Sequence, residues 1–543
     1  MNHNVWQTLA SLGRAGLPAA PDLEDRHVFK SKRKLTNGLK VWTVEVSHLA
    51  RSWFGLFLAC YLGLTLPLAW KLNLWIDEAS TLQTTSRGLR NAVGMALSYE
   101  LQAPLYFVLL AGWRMLSNTV FHARLFSVLC IVGMLVVLVG VARRYLPTIH
   151  PKWVVLAIAF NPFTIWAATE ARVYALVLLL GALLFWLFFE GYVAESPRRS
   201  VRWEYGLVAL LALYTYYYLG FLLFAHGCSL LLLRRWRTAG AFLGAMLMVG
   251  IGFAPLLAQI PGQMTGYTGA VTQQQSFKAG VQMLSWRLQE QLLPVGWPSL
   301  EVGRRGVLIV FGLLALVFVV RRIRQTATPA HYVIWTTGVI TSVCLLAAYL
   351  LTSAEFLEAR HSTVLFLPAI LSVFAIFTLF THRGAIVGGV LVLCFFSLTS
   401  LMATYAYPAK TGDWERVASH LMAAEQREQP ILIFQAISAA PLSHYYAGVN
   451  RLLPIPQAEQ FQAFNHPDSV LKSEAQLHAI LAQIPGKQEC LWLVTDELCR
   501  SVNLDLNCRV LESFVEKYYD VEVTQNFYRS KVRLLRRKPP TLH

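Results

Sequence analysis

The sequence predicts an α-helical polytopic membrane protein with a small α/β domain at its C-terminal end. Three observations lead there. Of its 543 residues, 55% are hydrophobic and 14% are charged, against about 25% charged in soluble domains. Apolar runs of about 17 to 30 residues recur from Ser52 to Thr404, the length that crosses a hydrocarbon core. From Tyr407 onward the composition turns soluble.

The net charge of +17 does not point to nucleic acid. Most of the Lys and Arg stand in short clusters between apolar runs, where topology signals belong, and no groove-reading or stacking motif accompanies them. Residues 1–51 read as a cytoplasmic N-terminal tail rather than a cleavable signal peptide. They are mostly polar and place Arg26, Lys30, Lys32, Arg33 and Lys34 beside the first span.

Taken in order, Ser52 to Trp70 is the first span and leads into a first outer loop, 71–120. Leu101 to Trp113 is uncharged but only about 13 residues long, a length that lies in the interface more often than it crosses. With Pro104 to Leu116 read as interfacial, the further spans are Leu125–Ala142, Trp153–Thr169, Val173–Phe189, a pair within Tyr205–Leu233 broken near Gly220, Ala239–Ile260, Gly306–Val320, Val333–Thr352, Thr363–Phe380 and Ala385–Thr404. That makes about 11 spans. Arg143-Arg144, Arg198 to Arg202, Arg234 to Arg237, Arg321 to Arg324 and His382-Arg383 then share the inner side; counting Pro104 to Leu116 as a span reverses them all.

Two segments are more than turns. Residues 261–303 form a large outer loop in which Lys278 to Leu292 is amphipathic, with Val281, Leu284, Leu288 and Leu292 on one side. Residues 407–543 form the α/β domain on the outer side, with a helix at Trp414–Met422 and strands at Ile431–Phe434, Leu491–Val494 and Phe527–Leu535. Five of the eight cysteines lie in apolar runs as small buried hydrophobes. Cys490, Cys499 and Cys508 match no zinc spacing and leave one disulfide open.

On this topology Asp77-Glu78, Glu170-Ala171-Arg172 and Glu358-Ala359-Arg360-His361 meet on the outer face, each abutting a span. Ionisable residues are costly there and tend to line a cavity or pathway. For a single such pair an ordinary loop charge is the simpler reading. Glu170 and Arg172 sit in a nearly continuous apolar stretch, where a solvated face explains little. A carboxylate in reach of a hydroxyl can take its proton, and Arg172 and Arg360 are suited to a phosphate leaving group because a guanidinium offers paired donors. Tyr214, Tyr216, Tyr217 and Tyr218 line a substrate path or form an interfacial belt.

The order of motifs carries a resemblance. An apolar span is followed by Trp75-Ile76-Asp77-Glu78-Ala79, then Pro104-Leu105-Tyr106-Phe107 and Trp113, then Ala123-Arg124-Leu125. Next come Asn161-Pro162-Phe163, Glu170-Ala171-Arg172 with Tyr174, and Leu213-Tyr214-Thr215. This resembles the GT-C superfamily of polytopic glycosyltransferases, closest to its protein-O-mannosyltransferase-like (family 39 type) group, and also the lipid A aminoarabinose transferases. The likeness is strongest from Ser52 to Ala225. It implies an enzyme of the plasma (inner) membrane that takes a sugar from a polyprenyl-phosphate-linked donor to a lipid, glycan or protein acceptor at the extracytoplasmic face. Asp77 inherits the role of base, Glu78 matches its neighbouring acid, and Glu170 and Arg172 match the second-loop pair, so that Asp77, Glu78 and Glu170 stand as catalytic candidates. Arg172, Tyr174, Gln102, Arg360 and His361 stand as substrate-binding candidates. Gln102 stands where relatives carry a cation before the prolines, which weakens donor-phosphate binding at that turn. The superfamily contains enzymes with and without a divalent metal, and no ligand set is assigned. The competing classes are a lipid-linked sugar flippase, which would hold its polar groups near the bilayer midplane, and a membrane-anchored binding protein working through residues 407–543.

Overall fold

A computed structural model describes residues 53–539 apart from 264–275, 293–325, 352–356, 359, 381–382, 407–411, 460, 462–465, 484–488, 497–498 and 500–505. The expected tail 1–51, the span Gly306–Val320 and most of the loop 261–303 lie outside the described residues.

The chain is mostly helical up to Thr404. Among the described residues the first helix, α1 (Trp53–Lys71), leads into α2 (Ile76–Thr84), α3 (Leu89–Ser98) and α4 (Leu105–Arg114), and then into the long α5 (Val120–Tyr145). Beyond these lie α6 (Pro151–Ala159), α7 (Pro162–Ala168), α8 (Tyr174–Phe188, continued by a π-helical turn Phe189–Val193), α9 (Arg199–Thr215), α10 (Leu219–Leu232) and α11 (Trp236–Leu257). The set closes with α12 (Phe277–Leu292), α13 (Pro329–Leu351), α14 (Thr363–Phe377) and α15 (Arg383–Thr404). Among the described residues, 6 helices are long and apolar enough to cross a membrane, and three shorter apolar ones accompany them. The chain thus has the make-up of a multi-pass membrane protein.

The short α4 has 10 residues. At about 1.5 Å per residue, it is half of what the roughly 30 Å hydrocarbon core requires. Its Arg114 folds back to donate to the Leu82 carbonyl at 2.5 Å and to Thr85 Oγ1 at 2.6 Å. That cation meets the free carbonyls at the C-terminal end of α2, where the helix dipole favours positive charge.

The expected single span Trp153–Thr169 is two helices, because Pro162 has no N–H to continue the first. Asn161 restarts the chain, its Oδ1 accepting from the Phe163 amide at 2.9 Å with proline at the first helical position. The break expected near Gly220 falls at Tyr216–Tyr218. The helices α2 and α3 within the first loop were not expected at all.

The amphipathic helix of the large loop is present as α12, but its buried face is shifted. Leu284, Leu288 and Leu292 are half-buried as expected, but Val281 is exposed, while Gly280 and Gln291 are buried. A Cβ on Gly280 would lie 2.7 Å from Leu346 Cδ1 and 2.9 Å from Tyr349 Cδ1, so a side chain here would force these neighbours to shift. Farther along, the Arg287 Nε–H donates to the Leu357 carbonyl at 2.8 Å, and Gln291 Nε2 donates to the Ser362 carbonyl at 3.0 Å. The seat of this helix is therefore polar at one end and sterically tight at the other.

The C-terminal domain is a five-stranded sheet in the order β2-β1-β3-β5-β4. Its strands are β1 (Ile431–Phe434), β2 (Leu452–Ile455), β3 (Cys490–Asp496), β4 (Tyr519–Phe527) and β5 (Ser530–Arg537). β1 runs parallel to β2 and β3, whereas β5 is antiparallel to β3 and β4. Alternate residues of β1 enter opposite cores: Ile431 and Ile433 pack with Trp414, and Leu432 and Phe434 with Leu511 and Phe514. A sheet buried on both faces needs apolar runs rather than alternation, which is why β1 and β3 were legible and the exposed edge strand β4 was not. Cys499 and Cys508 form a disulfide with a Cα separation of 5.2 Å, and Cys490 is free.

Replacing Gly280 with Val is expected to destabilise the seat of α12, at a cost of about 1–3 kcal/mol for overpacking. Thermal unfolding of the purified chain in detergent checks this; an unchanged midpoint contradicts the close approach.

Candidate active site

The site is built on the first loop. Leu72 to Trp75 connect α1 to α2, and Asp77 and Glu78 follow in the first turn of α2, where acidic residues suit the positive end of the helix dipole. Adjacent helix positions point about 100° apart, so these two carboxylates face different surroundings.

Glu78 turns inward and is fully buried. Its Oε1 accepts from Arg124 Nε at 2.8 Å and from the Ala171 amide at 2.8 Å, and its Oε2 from Arg124 Nη2 at 2.7 Å. Arg124 also donates to the carbonyls of Ala69, Leu72 and Asn73 at 2.9, 2.7 and 3.1 Å. One guanidinium from α5 therefore closes the C-terminal end of α1, pins the connector and neutralises Glu78.

Asp77 remains 22% exposed at its side chain. Its Oδ2 lies 3.2 Å from Arg360 Nη1 and 3.6 Å from Arg172 Nη2; among the described residues Oδ1 takes no hydrogen bond. Arg172 is buried. Its Nη1 donates to the Asp77 carbonyl at 3.2 Å, to Thr81 Oγ1 at 2.7 Å and to Glu100 Oε2 at 3.0 Å. Glu100 is itself buried between α3 and α4 and accepts from Thr84 Oγ1 at 3.0 Å. Burial pushes the Glu100 carboxyl up, against the pull of the adjacent Arg172. Arg360 is 31% exposed at its side chain and also pairs with Glu358, and its carbonyl accepts from the Tyr216 hydroxyl at 3.1 Å.

Of the residues expected to meet, Asp77, Arg172 and Arg360 are in direct contact. Glu170 is buried one step away, its Oε2 accepting from the Trp75 indole N–H at 2.6 Å and its carbonyl from Ser127 Oγ at 2.5 Å. Tyr174 is buried and stacked on Trp166, with ring centroids 4.7 Å apart. His361 stacks on Tyr218 at 5.2 Å. Gln102 is half-buried two residues beyond Glu100, its amide donating to the Ala96 carbonyl at 2.9 Å. The sequence reading missed Glu100 and treated Arg124 as a motif letter only. The available signal was a lone arginine five residues into a 26-residue apolar helix, a place where an unpaired charge is too costly to persist.

Among the described residues, the one group of three metal-ligand side chains that converges is Cys499, Cys508 and Glu512, whose two sulfurs are bonded to each other. Among the described residues no such set surrounds Asp77.

The fold and site define a multi-pass helical protein with a half-open Asp–Arg cluster at one end of its bundle. No family model and no curated protein matches the chain. Among solved structures it is similar to ArnT from Cupriavidus metallidurans in the apo state, at 12% identity and TM-score 0.44, covering 89% of this chain and 98% of that one. The same protein bound to undecaprenyl phosphate gives 14% identity, TM-score 0.44 and the same coverage. The Archaeoglobus fulgidus oligosaccharyltransferase is similar at 13% identity and TM-score 0.38, over 77% of this chain and 62% of that one.

Removing Arg124 leaves Glu78 buried and unpaired, so Arg124→Ala is expected to cost about 3–5 kcal/mol of stability. A comparison of unfolding midpoints and yields of folded protein in detergent checks this, and wild-type stability would contradict the anchoring role.

Proposed function

We propose that the protein is a membrane glycosyltransferase that moves a sugar from a polyprenyl-phosphate-linked donor to an acceptor hydroxyl or amine at the extracytoplasmic face. The observation that carries this reading is the contrast between Asp77 and its neighbours. In the cluster, Glu78, Glu100 and Glu170 are buried and occupied, while Asp77 alone pairs partial exposure with two arginines.

In this reading Asp77 takes the proton from the acceptor as its oxygen or nitrogen attacks the anomeric carbon. The bond from that carbon to the donor's phosphate oxygen breaks, and the negative charge stays on the polyprenyl phosphate. Arg360, the more exposed arginine, meets that phosphate, because a guanidinium stabilises the charge that develops on departure. Arg172 is tied to Glu100, Thr81 and the Asp77 carbonyl, and its part is to hold the base. Glu78 and Glu170 keep the connector and Trp75 in place. Tyr174, His361 and Gln102 border the cluster as candidate contacts for sugar or acceptor.

About 11 crossings put this cluster outside. Two features support the orientation. At the other end of the bundle Arg144 Nε pairs with the buried Glu190 at 2.7 Å, with Arg198 3.9 Å from the same carboxylate, and a basic end belongs on the cytoplasmic side. The Cys499–Cys508 disulfide in the C-terminal domain suits an oxidising compartment. The plasma (inner) membrane is the corresponding location.

Asp77→Asn keeps the size and removes the basicity, so transfer from a radiolabelled undecaprenyl-phosphate sugar is expected to fall by about 10²-fold or more with folding intact. Arg360→Ala is expected to raise the KM for the donor far more than that for the acceptor. Full activity of Asp77→Asn would sink the assignment of the base.

A further inference from the structure

The connector Leu72–Trp75 and the helix α2 behind it are held from two directions. Arg124 holds the connector from the membrane domain. The C-terminal domain holds it from the other direction: the buried Asn73 donates through Nδ2 to Asp413 Oδ1 at 3.1 Å, and the buried Leu74 amide donates to the Tyr445 hydroxyl at 2.8 Å. Both bonds fall just before Trp75, the N-cap of α2, where no side chain caps the helix, so they fix the entry of the chain into α2. Asp413 immediately precedes the helix α16 (Trp414–Ala424), and Tyr445 ends α17 (Ala439–Tyr445), which packs against α2. Just past the end of α3 the Phe461 ring lies 5.3 Å from Tyr99, the neighbour of Glu100. The C-terminal domain therefore touches both ends of the segment that carries Asp77 and Glu100.

We infer that the C-terminal domain is a working part of the active site, and that Tyr445 and Asp413 are positioning residues that set the place of the Asp77 carboxylate. Leu74 is three residues from Asp77, less than one helical turn. Arg172 reads the register of α2 through the Asp77 carbonyl and Thr81, so a shift of the connector alters the separation of Asp77 from both arginines. Misplacement of a reacting group by about 1 Å is enough to cost up to 10²-fold in rate. The inference rests on the glycosyl-transfer reading and adds a role for residues 407–543 within it.

The test uses the full-length chain in lipid nanodiscs, a panel of radiolabelled undecaprenyl-phosphate hexoses and pentoses as donors, and membranes of the source organism as acceptor. Hydrogen–deuterium exchange over residues 74–84 is read on the same samples. Tyr445→Phe and Asp413→Ala are each expected to lower kcat by about 10- to 100-fold, leave the donor KM unchanged and speed exchange in α2. Asp413→Asn keeps an oxygen acceptor for Asn73 and is expected to restore kcat. Unchanged kcat in both variants, beside an active wild type, overturns the positioning role alone. Loss in Asp413→Asn equal to that in Asp413→Ala overturns the assignment of the Asn73 bond. A rise in donor KM without a fall in kcat also overturns it, since that places these residues in substrate binding. A wild-type chain that transfers none of the sugars overturns the glycosyl-transfer reading and the positioning role with it, whatever the exchange shows.

Discussion

The Arg124–Glu78 ion pair is the constraint on which the rest of the site depends. Both partners are buried, and desolvating two charges is repaid only when the remaining hydrogen-bonding capacity is filled. It is filled here: the guanidinium makes five hydrogen bonds, three of them to carbonyls at the end of α1 and in the connector, and the carboxylate also accepts the Ala171 amide. Three segments separated by nearly fifty residues each are thereby brought into one register. The position of Arg172 follows, because it lies one residue beyond Ala171, and the position of Asp77 follows because it lies one residue before Glu78.

Adjacent acidic residues consequently have opposite physical characters. Glu78 is surrounded by donors that never leave, so its charge is spent on structure. Asp77 keeps some access to solvent and faces two arginines of unequal freedom. Arg172 is fixed by Glu100 and Thr81, and its charge keeps the negative charges of Asp77 and Glu100 compatible in a buried setting. Arg360 stands on a connector between α13 and α14 and is the more exposed of the two. Asp77 is thus held by one fixed and one more exposed arginine.

Much of the fold was legible because membrane helices obey a simple rule of length and polarity. The short run around Tyr106 was read as too short to cross, and α4 with its ten residues agrees. The helix α2 has few apolar residues, and Thr81, Thr84 and its C-cap Thr85 are buried in hydrogen bonds rather than on a hydrophobic stripe, while α3 is a short helix of ten residues that buries Ala92, Met95 and Ala96. The proline at position 162 was visible, but a run of uninterrupted apolar character hid the break it makes. In the C-terminal domain β1 and β3 announce themselves as apolar runs and β5 by alternation, whereas β2 is only four residues with Pro454 among them and β4 is a mostly polar, exposed edge strand.

The sequence by itself determined which residue types stand at the ends of the apolar runs, and that the clusters Asp77-Glu78, Glu170-Ala171-Arg172 and Glu358-Ala359-Arg360-His361 belong together. Those are local facts, written in length, charge and spacing. Only the tertiary structure decided that Glu78 is an anchor and Asp77 the accessible carboxylate, since the difference is a matter of which side of one helix meets Arg124. It also decided that Glu100 belongs to the cluster and that the C-terminal domain reaches Asn73 and Leu74. Contacts between residues some 340 positions apart leave no periodicity in a chain; they exist only once packing has brought their backbones together.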